Sequence, residues 1–204
     1  MATMMGPILL ATRNPGKAGE MKRLFSASGF KFVSLADFPE IGEIEETGTT
    51  FAENAILKAA GYAALAGTAA IADDSGLEVD ALDGAPGVLS ARYGGPGASD
   101  ADRIRKLLKD LDAVDGQGRS ARFVCSVALA DTDGRILALE EGVCPGRIAS
   151  VPSGSGGFGY DPVFIPEGYD RTFAELSGEI KNRTSHRAQA GMKIMRYLLG
   201  FTGG

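Results

Sequence analysis

Two adjacent aspartates follow a short apolar run in the stretch "AIADDSG", residues 70–76. We expect that run to be a buried strand that ends at Asp73 and Asp74, where a lone carboxylate is costly unless it is paired or binds a metal. Carboxylates in such a place can hold Mg²⁺ through one or two oxygens, with water and phosphate oxygens completing the shell. One of them could also accept a proton from a water molecule that attacks phosphorus. The alternative is a plain turn, since Asp, Ser and Gly are common turn residues.

A second acidic run, "EIEETG", carries Glu45 and Glu46 and could complete a metal site with the aspartates. A solvated acidic loop is the commoner explanation of such a run. Lys58 lies on the next predicted helix, within about one turn of Glu53 and Asn54. This spacing alone favours an ordinary surface ion pair.

The segment "TRNPGK", residues 12–17, joins a predicted strand to a predicted helix. Backbone N–H groups and the positive end of the helix dipole favour an anion at such a junction. Lys17 adds a point charge suited to phosphate. The segment is not a Walker A loop, which needs four residues between its first two glycines. A strand-to-helix turn with a solvated lysine is the commoner interpretation of this segment alone.

The stretch "SGSGGFGYDPVF", residues 153–164, combines glycines with aromatic residues. Glycine lets the backbone approach a ligand closely, and Phe158 and Tyr160 could stack on a flat ring. Stacking on a base contributes roughly 1–3 kcal/mol and tolerates different bases. Asp161 could accept a hydrogen bond from the ligand or the protein. A glycine-rich hairpin whose aromatic rings fill the core is an equally good interpretation.

The sole histidine, His186, precedes Arg187 at a predicted helix start, with Lys181 a few residues upstream. A lone histidine is more often structural than catalytic. The group is nevertheless rich in hydrogen-bond donors, which suit an anion or the carbonyl edge of a purine. We therefore hypothesise that these donors favour a base with O6 over a base with an amino group.

The elements that must position these residues alternate between strands and helices, a pattern that predicts an α/β fold. Thr50 and Glu53 predict a capping box at the start of the second helix, and "DTDG" predicts a hairpin turn. A long loop is expected between the aspartates and the third helix. The predicted strands cover 7–12, 30–35, 69–74, 121–130, 134–143 and 146–151, and the helices cover about 17–28, 51–66, 100–111 and 184–199.

Length and composition narrow the class of protein. The 204 residues favour one domain, at most two lobes that share a core. The net charge of −5, from 26 acidic and 21 basic residues, argues against a nucleic-acid polymer as partner. Cys125 and Cys144 lack metal-ligand spacing, so a zinc site or disulfide framework is not expected. The start "MATMMGPILLAT" lacks signal-peptide features, and no apolar run is long enough to span a membrane, so we expect a cytoplasmic protein.

The blocks "ATRNPGK", "EETGTTFAENAILKA", "IADDSGLEVDALDGAPGVLSARYGG", "GSGGFGYDPVFIPEG" and "SHRAQA" closely resemble, in this order, the inosine/xanthosine triphosphate pyrophosphatases, also called dITP/XTP diphosphatases. The resemblance spans residues 12–190. It implies one domain over 1–204 with an elongated α/β fold, in which a mixed sheet with flanking helices is bent between two lobes around an active-site cleft. It also implies a homodimer and the Mg²⁺-dependent hydrolysis of ITP, dITP and XTP to the monophosphate and pyrophosphate.

The resemblance also assigns roles in phosphate and metal binding by position. Asp74 would bind Mg²⁺ and accept the proton, Ser75 would touch the substrate, and Lys58 would neutralise phosphate charge. Either Glu45 or Glu46 would be the other metal ligand. Arg13 stands where many relatives carry glycine, and its effect depends on whether its side chain points toward the phosphates. The triphosphate would bind Thr12, Arg13, Asn14, Pro15, Gly16 and Lys17.

Base recognition falls to the later blocks of the resemblance. The segment "FGYD" would hold the base, and donors from the last block would complete its recognition. The residues concerned are Phe158, Gly159, Tyr160, Asp161, Lys181, His186 and Arg187.

Two other functions agree with parts of the sequence. One is a pyrophosphatase for modified pyrimidine nucleotides on a similar fold. The other is a nucleotide-binding module without catalysis, against which the "ADDSG" carboxylates argue, because a pure binder has less need of carboxylates beside phosphates.

Overall fold

The computed structural model describes residues 6–26, 28–115 and 118–201. The first five residues, on which the expectation of no signal peptide partly rests, lie outside the described residues. In the described part of the chain, no helix is both long enough and apolar enough to cross a membrane.

A mixed six-stranded sheet, in the order β2-β1-β3-β4-β5-β6, forms the framework of the described residues. β1 pairs in parallel with β2 and β3, whereas β5 and β6 are antiparallel. β4 and β5 are neighbours joined by a tight turn, in which the Gly134 N–H donates to the Asp131 carbonyl at 3.0 Å, and this confirms the predicted hairpin. The strands are β1 Ile8–Leu10, β2 Phe32–Ser34, β3 Ala70–Val79, β4 Ser120–Ala130, β5 Ile136–Ile148 and β6 Phe164–Pro166.

Five α-helices accompany this sheet in the described residues, so the predicted mixed α/β class is confirmed. The predicted capping box at the start of α2 is present, because the Thr50 hydroxyl accepts from the Glu53 N–H at 3.1 Å and the Glu53 carboxylate accepts from the Thr50 N–H at 3.1 Å. The last predicted helix begins two residues later than expected, since Ser185 is extended and separates it from a short helix. The helices are α1 Pro15–Phe25, α2 Phe51–Ala66, α3 Asp100–Asp110, α4 Gly178–Thr184 and α5 His186–Phe201.

Two strands are longer than the sequence predicts. β3 continues past the aspartates to Val79, because Leu77 and Val79 are buried in a hydrophobic core and extend the alternation of the strand. The long loop expected after Asp74 is therefore shorter. β5 replaces two predicted strands, since Gly146 continues the ladder by pairing with Pro166 of β6.

The chain divides into two compact units. The first contains the described residues of Met1–Asp74, Cys125–Gly142 and His186–Gly204, and the second contains those of Ser75–Val124 and Val143–Ser185. β3, β4 and β5 each contribute residues to both units.

The first unit has an apolar cluster on each face of its part of the sheet. Ile71 of β3 belongs to the cluster that includes residues of α1 and α5, whereas Ala70 and Ala72 belong to the cluster that includes residues of α2. Successive side chains of a strand point to opposite faces. The cluster to which a β3 side chain belongs therefore shows whether it faces α1 and α5 or faces α2.

The core of the second unit is built around three phenylalanines. The ring centroids of Phe123 and Phe164 are 4.5 Å apart, and those of Phe164 and Phe173 are 5.5 Å apart. Leu107 of α3 and Tyr160 pack in the same cluster. This core supports the segment that carries Phe158.

Candidate active site

Asp73 and Asp74 are adjacent in β3 but face opposite sides of the sheet. Asp73 lies two residues after Ile71, so it points to the same face of the sheet, toward α1 and α5. Asp74 lies two residues after Ala72 and points to the other face, toward α2. Both carboxylates are buried. Each is therefore surrounded by a different set of charges.

On the α2 side, the Lys58 cluster consists of Glu46, Asn54, Lys58 and Asp74. The Lys58 ammonium lies 2.5 Å from a Glu46 carboxylate oxygen and 2.9 Å from Asp74 Oδ1. Asn54 Nδ2 donates a long hydrogen bond of 3.4 Å to Asp74 Oδ2. Two carboxylates thus converge on one cation.

The expectation of a surface ion pair on α2 is wrong. Lys58 is only 9% exposed and Asn54 1% exposed. Glu53 does not take part in this cluster, because its carboxylate accepts instead from the N–H groups of Thr49 and Thr50, at 2.6 and 3.1 Å. The expectation failed because the spacing of residues within α2 does not reveal which strand the helix packs on. The partner of Lys58 is Asp74, which lies on that strand.

The charges of the Lys58 cluster shift its acid–base properties. Burial raises the pKa of Asp74, and the cations Lys58 and Lys17 offset this only in part, so the pKa remains above its usual value. For Lys58, burial lowers the pKa, but Asp74, Asp73 and Glu46 outweigh burial, and the net pKa is raised. Lys58 therefore stays a cation at neutral pH.

The Glu46 and Asp74 carboxylates fit a magnesium ion. Both already bind a single positive charge, the Lys58 ammonium, and Mg²⁺ is bound in proteins by one or two carboxylates together with water and phosphate oxygens. Among the residues that the structure describes, no group of three or more His, Cys, Asp and Glu side chains could hold a metal, which is compatible with a carboxylate pair whose remaining ligands are water or phosphate oxygens. Glu45 is exposed, and of the two glutamates it is Glu46 that contacts Lys58.

On the other face of β3, the Asp73 cluster consists of Lys17, Glu20, Asp73 and Arg187. Asp73 Oδ2 accepts from two guanidinium nitrogens of Arg187 at 2.9 and 3.0 Å and lies 3.1 Å from the Lys17 ammonium. Arg187 also donates to Glu20. Burial raises the pKa of Asp73, but Lys17, Arg187 and Lys58 outweigh burial, so this pKa lies well below its usual range. Asp73 is therefore an anion that holds cations from α1 and α5.

The turn before α1 is organised by its own side chains. Asn14 caps the helix, because its Oδ1 accepts from the Lys17 N–H at 3.1 Å, and the Thr12 hydroxyl accepts from the Asn14 N–H at 3.2 Å. Pro15 is the first helical residue, where its missing N–H costs nothing. Arg13 donates from its guanidinium to the Ile41 carbonyl. The backbone N–H of Lys17 is thus used by the cap, and its ammonium is the group of this residue that reaches the Asp73 cluster.

In the second unit, the aromatic loop is the segment of residues 154–161. Its glycines are required by the protein's own packing: a Cβ at Gly154 would lie 2.5 Å from the Ala174 backbone, and one at Gly157 would lie 2.0 Å from the Asp161 carboxylate. Both glycines also have positive φ. At these two positions, it is therefore another part of the protein that requires glycine, rather than a bound ligand.

The aromatic side chains of this loop have different environments. The Tyr160 ring is buried in the core of the second unit, and its hydroxyl donates to the Ser90 carbonyl at 2.9 Å. This placement does not suit the stacking expected of the Tyr160 ring. Phe158 is half-buried, with the Lys181 ammonium 4.6 Å from its ring centroid. Phe158 is thus the better placed of the two rings to meet a ligand.

Asp161 is the anchor of the aromatic loop. Its buried carboxylate accepts from the Phe158 N–H at 2.8 Å and from the Lys181 ammonium. Gly159 donates its N–H to Asp100 of α3 at 2.7 Å. The predicted base-binding residues Phe158, Gly159, Asp161 and Lys181 are thus brought together in one unit.

The remaining predicted residues are placed as follows. Ser75 follows Asp74 in β3, and His186 is buried at the start of α5. Arg187 is grouped with Asp73 and Lys17 of its own unit. The predicted contacts of these residues with a substrate stay predictions.

Two polar residues of these clusters were not predicted as site residues from the sequence. Glu20 is buried on α1, three residues after Lys17. A charged residue next to the apolar Met21, which is also buried, was the sequence feature that could have indicated a buried ion pair. Asn54 lies one helical turn before Lys58, so the two share a face of α2. That shared face could have indicated a common partner.

The mixed sheet, the lysine shared by a buried aspartate and a half-buried glutamate, and the cationic start of α1 define a class, the α/β proteins with a candidate metal-assisted phosphate site. The Ham1 family model matches residues 8–197, and the chain belongs to this family. A dITP/XTP pyrophosphatase of Listeria monocytogenes serovar 1/2a is 52% identical over 195 residues, which are 96% of each chain. A dITP/XTP pyrophosphatase of Geobacillus kaustophilus is 50% identical over 190 residues, which are 93% of each chain. The structure of a HAM1 protein from Coxiella burnetii superposes with a TM-score of 0.87 at 45% identity, covering 96% of this chain and 100% of that one.

Proposed function

We propose that this chain hydrolyses purine nucleoside triphosphates with a 6-oxo base, namely ITP, dITP and XTP, to the monophosphate and pyrophosphate. The observation that carries the proposal is the convergence of Glu46 and Asp74 on the buried Lys58 ammonium in a chain about half identical to proteins named dITP/XTP pyrophosphatases. The hydrolysis would remove aberrant nucleotides before polymerases use them.

Glu46 and Asp74 would hold Mg²⁺, which supplies charge neutralisation at the phosphate oxygens. Asp74 would also orient the attacking water and accept its proton. Lys58 lies between the two carboxylates and would add fixed positive charge beside the reacting phosphoryl group. We take Glu46 rather than Glu45 as the second ligand because Glu46 contacts Lys58.

The triphosphate would bind the start of α1. Lys17 contributes a cation there, and the segment 12–17 contributes the exposed turn in which Asn14 fixes the first helical residues. Ser75 would touch the substrate beside Asp74. Cleavage between the α- and β-phosphates is proposed on the family likeness.

The base would be held by the aromatic loop. Phe158 would stack on the purine, and Asp161, Lys181 and Gly159 would supply polar contacts around it. His186 and Arg187 would complete recognition, with Arg187 acting from its position beside Asp73. A set of donors favours O6 over an amino group at the same place, because the amino group is itself a donor.

The experiment is a comparison of pyrophosphate release from dITP, dATP and 5-methyl-dUTP (dTTP) with and without Mg²⁺. The proposal predicts Mg²⁺-dependent release from dITP and much slower release from the other two nucleotides. A preference for the methylated pyrimidine would favour the pyrimidine enzyme. Binding of dITP without any turnover would favour the non-catalytic module.

We also propose a homodimer that acts in the cytoplasm on free nucleotides. The proposal of a homodimer is supported by the family likeness alone. Sedimentation equilibrium tests it, since a mass near twice 21.2 kDa is expected, and a mass near 21.2 kDa would contradict it.

A further inference from the structure

Asn54 is a buried amide in the first turn of α2. It is 1% exposed, and a buried amide group destabilises the fold unless its donors and acceptor are satisfied. Helix propensity does not explain an asparagine at this position, because Asn is a weak helix former. Its contacts should therefore explain why it occupies this position.

The amide of Asn54 connects two segments that carry the proposed metal ligands. Its Oδ1 accepts from the Gly48 N–H at 2.8 Å, and its Nδ2 lies 3.4 Å from the Gly48 carbonyl oxygen. The same Nδ2 donates to Asp74 Oδ2 at 3.4 Å. Gly48 lies two residues after Glu46. One side chain thus contacts both the loop of Glu46 and the carboxylate of Asp74.

The contact between Gly48 and Asn54 requires glycine at position 48. A Cβ at Gly48 would lie 2.7 Å from Asn54 Oδ1 and 2.7 Å from the Glu53 Cβ. A side chain at this position would therefore push the loop away from α2. The absence of a side chain lets the backbone of the loop lie directly on the Asn54 amide.

The orientation of the Asp74 carboxylate depends on two donors. Oδ1 accepts from Lys58 at 2.9 Å, and Oδ2 accepts from Asn54. A carboxylate held at both oxygens cannot rotate freely about its last side-chain bond. Asn54 therefore restricts the direction in which Asp74 presents its remaining lone pairs.

We propose that Asn54 is a positioning residue that sets the geometry of the Glu46 and Asp74 carboxylates toward a divalent cation. The proposal rests on the proposed function in that these carboxylates are its metal ligands. Outer partners of metal ligands typically change metal affinity or activity by 10–100-fold when they are lost. Asn54 acts through hydrogen bonding alone and itself takes up no proton.

The matched control is Glu53→Gln. Glu53 anchors the same loop through the N–H groups of Thr49 and Thr50, but it does not contact Asp74. Gln can keep part of this capping role. A general loosening of the loop would affect both variants, whereas loss of positioning would affect Asn54→Ala alone.

The experiment measures Mn²⁺ binding by electron paramagnetic resonance without nucleotide, Gly48 amide exchange without metal, and kcat and KM for dITP. We expect Asn54→Ala to weaken Mn²⁺ binding about tenfold, to speed Gly48 exchange, and to lower kcat more than it raises KM. Glu53→Gln should keep the wild-type Mn²⁺ affinity. Mn²⁺ affinity unchanged in folded Asn54→Ala, or lowered equally in Glu53→Gln, would overturn the inference.

A second variant keeps the test decisive if Asn54→Ala does not fold. Gly48→Ala disturbs the same contact from the loop side and should also weaken Mn²⁺ binding, and wild-type affinity in it would overturn the inference. Failure of the proposed function looks different. Wild-type protein that releases no pyrophosphate from dITP would reject that function, whereas Mn²⁺ affinity and Gly48 exchange would still decide the role of Asn54.

Discussion

Neighbouring aspartates of β3 have opposite pKa shifts because the strand turns them to opposite faces. Asp73 meets Lys17 and Arg187, and the pKa of its carboxyl is lowered. Asp74 shares Lys58 with Glu46, and burial leaves its pKa raised. Sequence adjacency therefore hides a division of roles, in which Asp73 organises cations and Asp74 is the candidate ligand and proton acceptor.

Substitution of Asp74 by asparagine tests the second of these roles. Asn keeps the size of the side chain but cannot accept the proton or supply an anionic ligand, so we expect pyrophosphate release from dITP to fall at least about a hundredfold. Asp80→Asn, an exposed position just after the same strand, is the control and should retain activity. Near-normal turnover by Asp74→Asn, measured by a coupled pyrophosphate assay, would reject the assignment.

Substitution of Asp73 tests the first role through stability. The folded pKa of Asp73 lies below its unfolded value of about 3.9, so its contribution is present above that value and is lost as the pH falls toward the folded pKa. Asp73→Asn leaves the buried Arg187 and the partly buried Lys17 without this anion, and the free energy of unfolding at pH 7 should fall by about 3–5 kcal/mol.

Urea unfolding at pH 7 and at pH 3, below the unfolded pKa of Asp73, checks this expectation. Asp73→Asn should lose less stability than wild type between these two values, because the titrating carboxyl is gone. Arg135→Gln removes an exposed ion pair with Asp131 and should change stability by less than about 1 kcal/mol. An equal loss in wild type and Asp73→Asn on acidification would contradict the role of Asp73.

At the scale of elements, local signals predicted some boundaries well and others poorly. The start of α2 was predictable because Thr50 and Glu53 form a cap from adjacent residues. The ends of β3 and β5 were not, since Asp73 and Asp74 look like the end of a strand until their cationic partners are known. Gly146 likewise looks like a break until β6 is seen beside it.

The cysteines of β4 and β5 give a prediction about these central strands. Cys125 and Cys144 are free and buried. Burial raises the pKa of both thiols, to about 12 for Cys144, so almost no thiolate is present at pH 8. We expect negligible reaction with Ellman's reagent at pH 8 in native protein and two reactive thiols in guanidinium chloride. Rapid reaction of either thiol in the native state would contradict this placement.

The glycines of the aromatic loop give a second prediction at this scale. Gly154 has a φ of 82° and would place a Cβ 2.5 Å from the Ala174 backbone, so Gly154→Ala should suffer both strain and collision. Gly168 has a φ of 79° and open space around it, so Gly168→Ala should suffer the strain alone, about 1–2 kcal/mol. Chemical denaturation should show a larger loss for Gly154→Ala. Equal losses would mean that the loop does not pack on Ala174.

For the whole molecule, the residue types of the candidate site were predictable from the sequence, but their partners were not. Long blocks from Thr12 to Ala190 resemble one family, and the family match over residues 8–197 confirms that resemblance. Contacts such as Asn54 with Asp74 or Arg187 with Asp73 join positions 20 and 114 residues apart. No local pattern encodes such pairs, because they depend on which helix covers which face of the sheet.

The two units carry different chemistry. The first contains the carboxylates and cations suited to Mg²⁺ and phosphate, and the second contains the aromatic loop with Lys181. We propose that Glu46, Asp74 and Lys58 promote the Mg²⁺-dependent cleavage of a nucleoside triphosphate to the monophosphate and pyrophosphate. Hydrolysis at the α–β phosphoanhydride bond is the outcome that the family likeness predicts.

A time course of dITP hydrolysis followed by ³¹P nuclear magnetic resonance tests this proposed reaction. With Mg²⁺ present, we expect dIMP and pyrophosphate as the only products, and we expect no products when the metal is chelated. Formation of dIDP and orthophosphate, or hydrolysis that continues unchanged without a divalent cation, would contradict it.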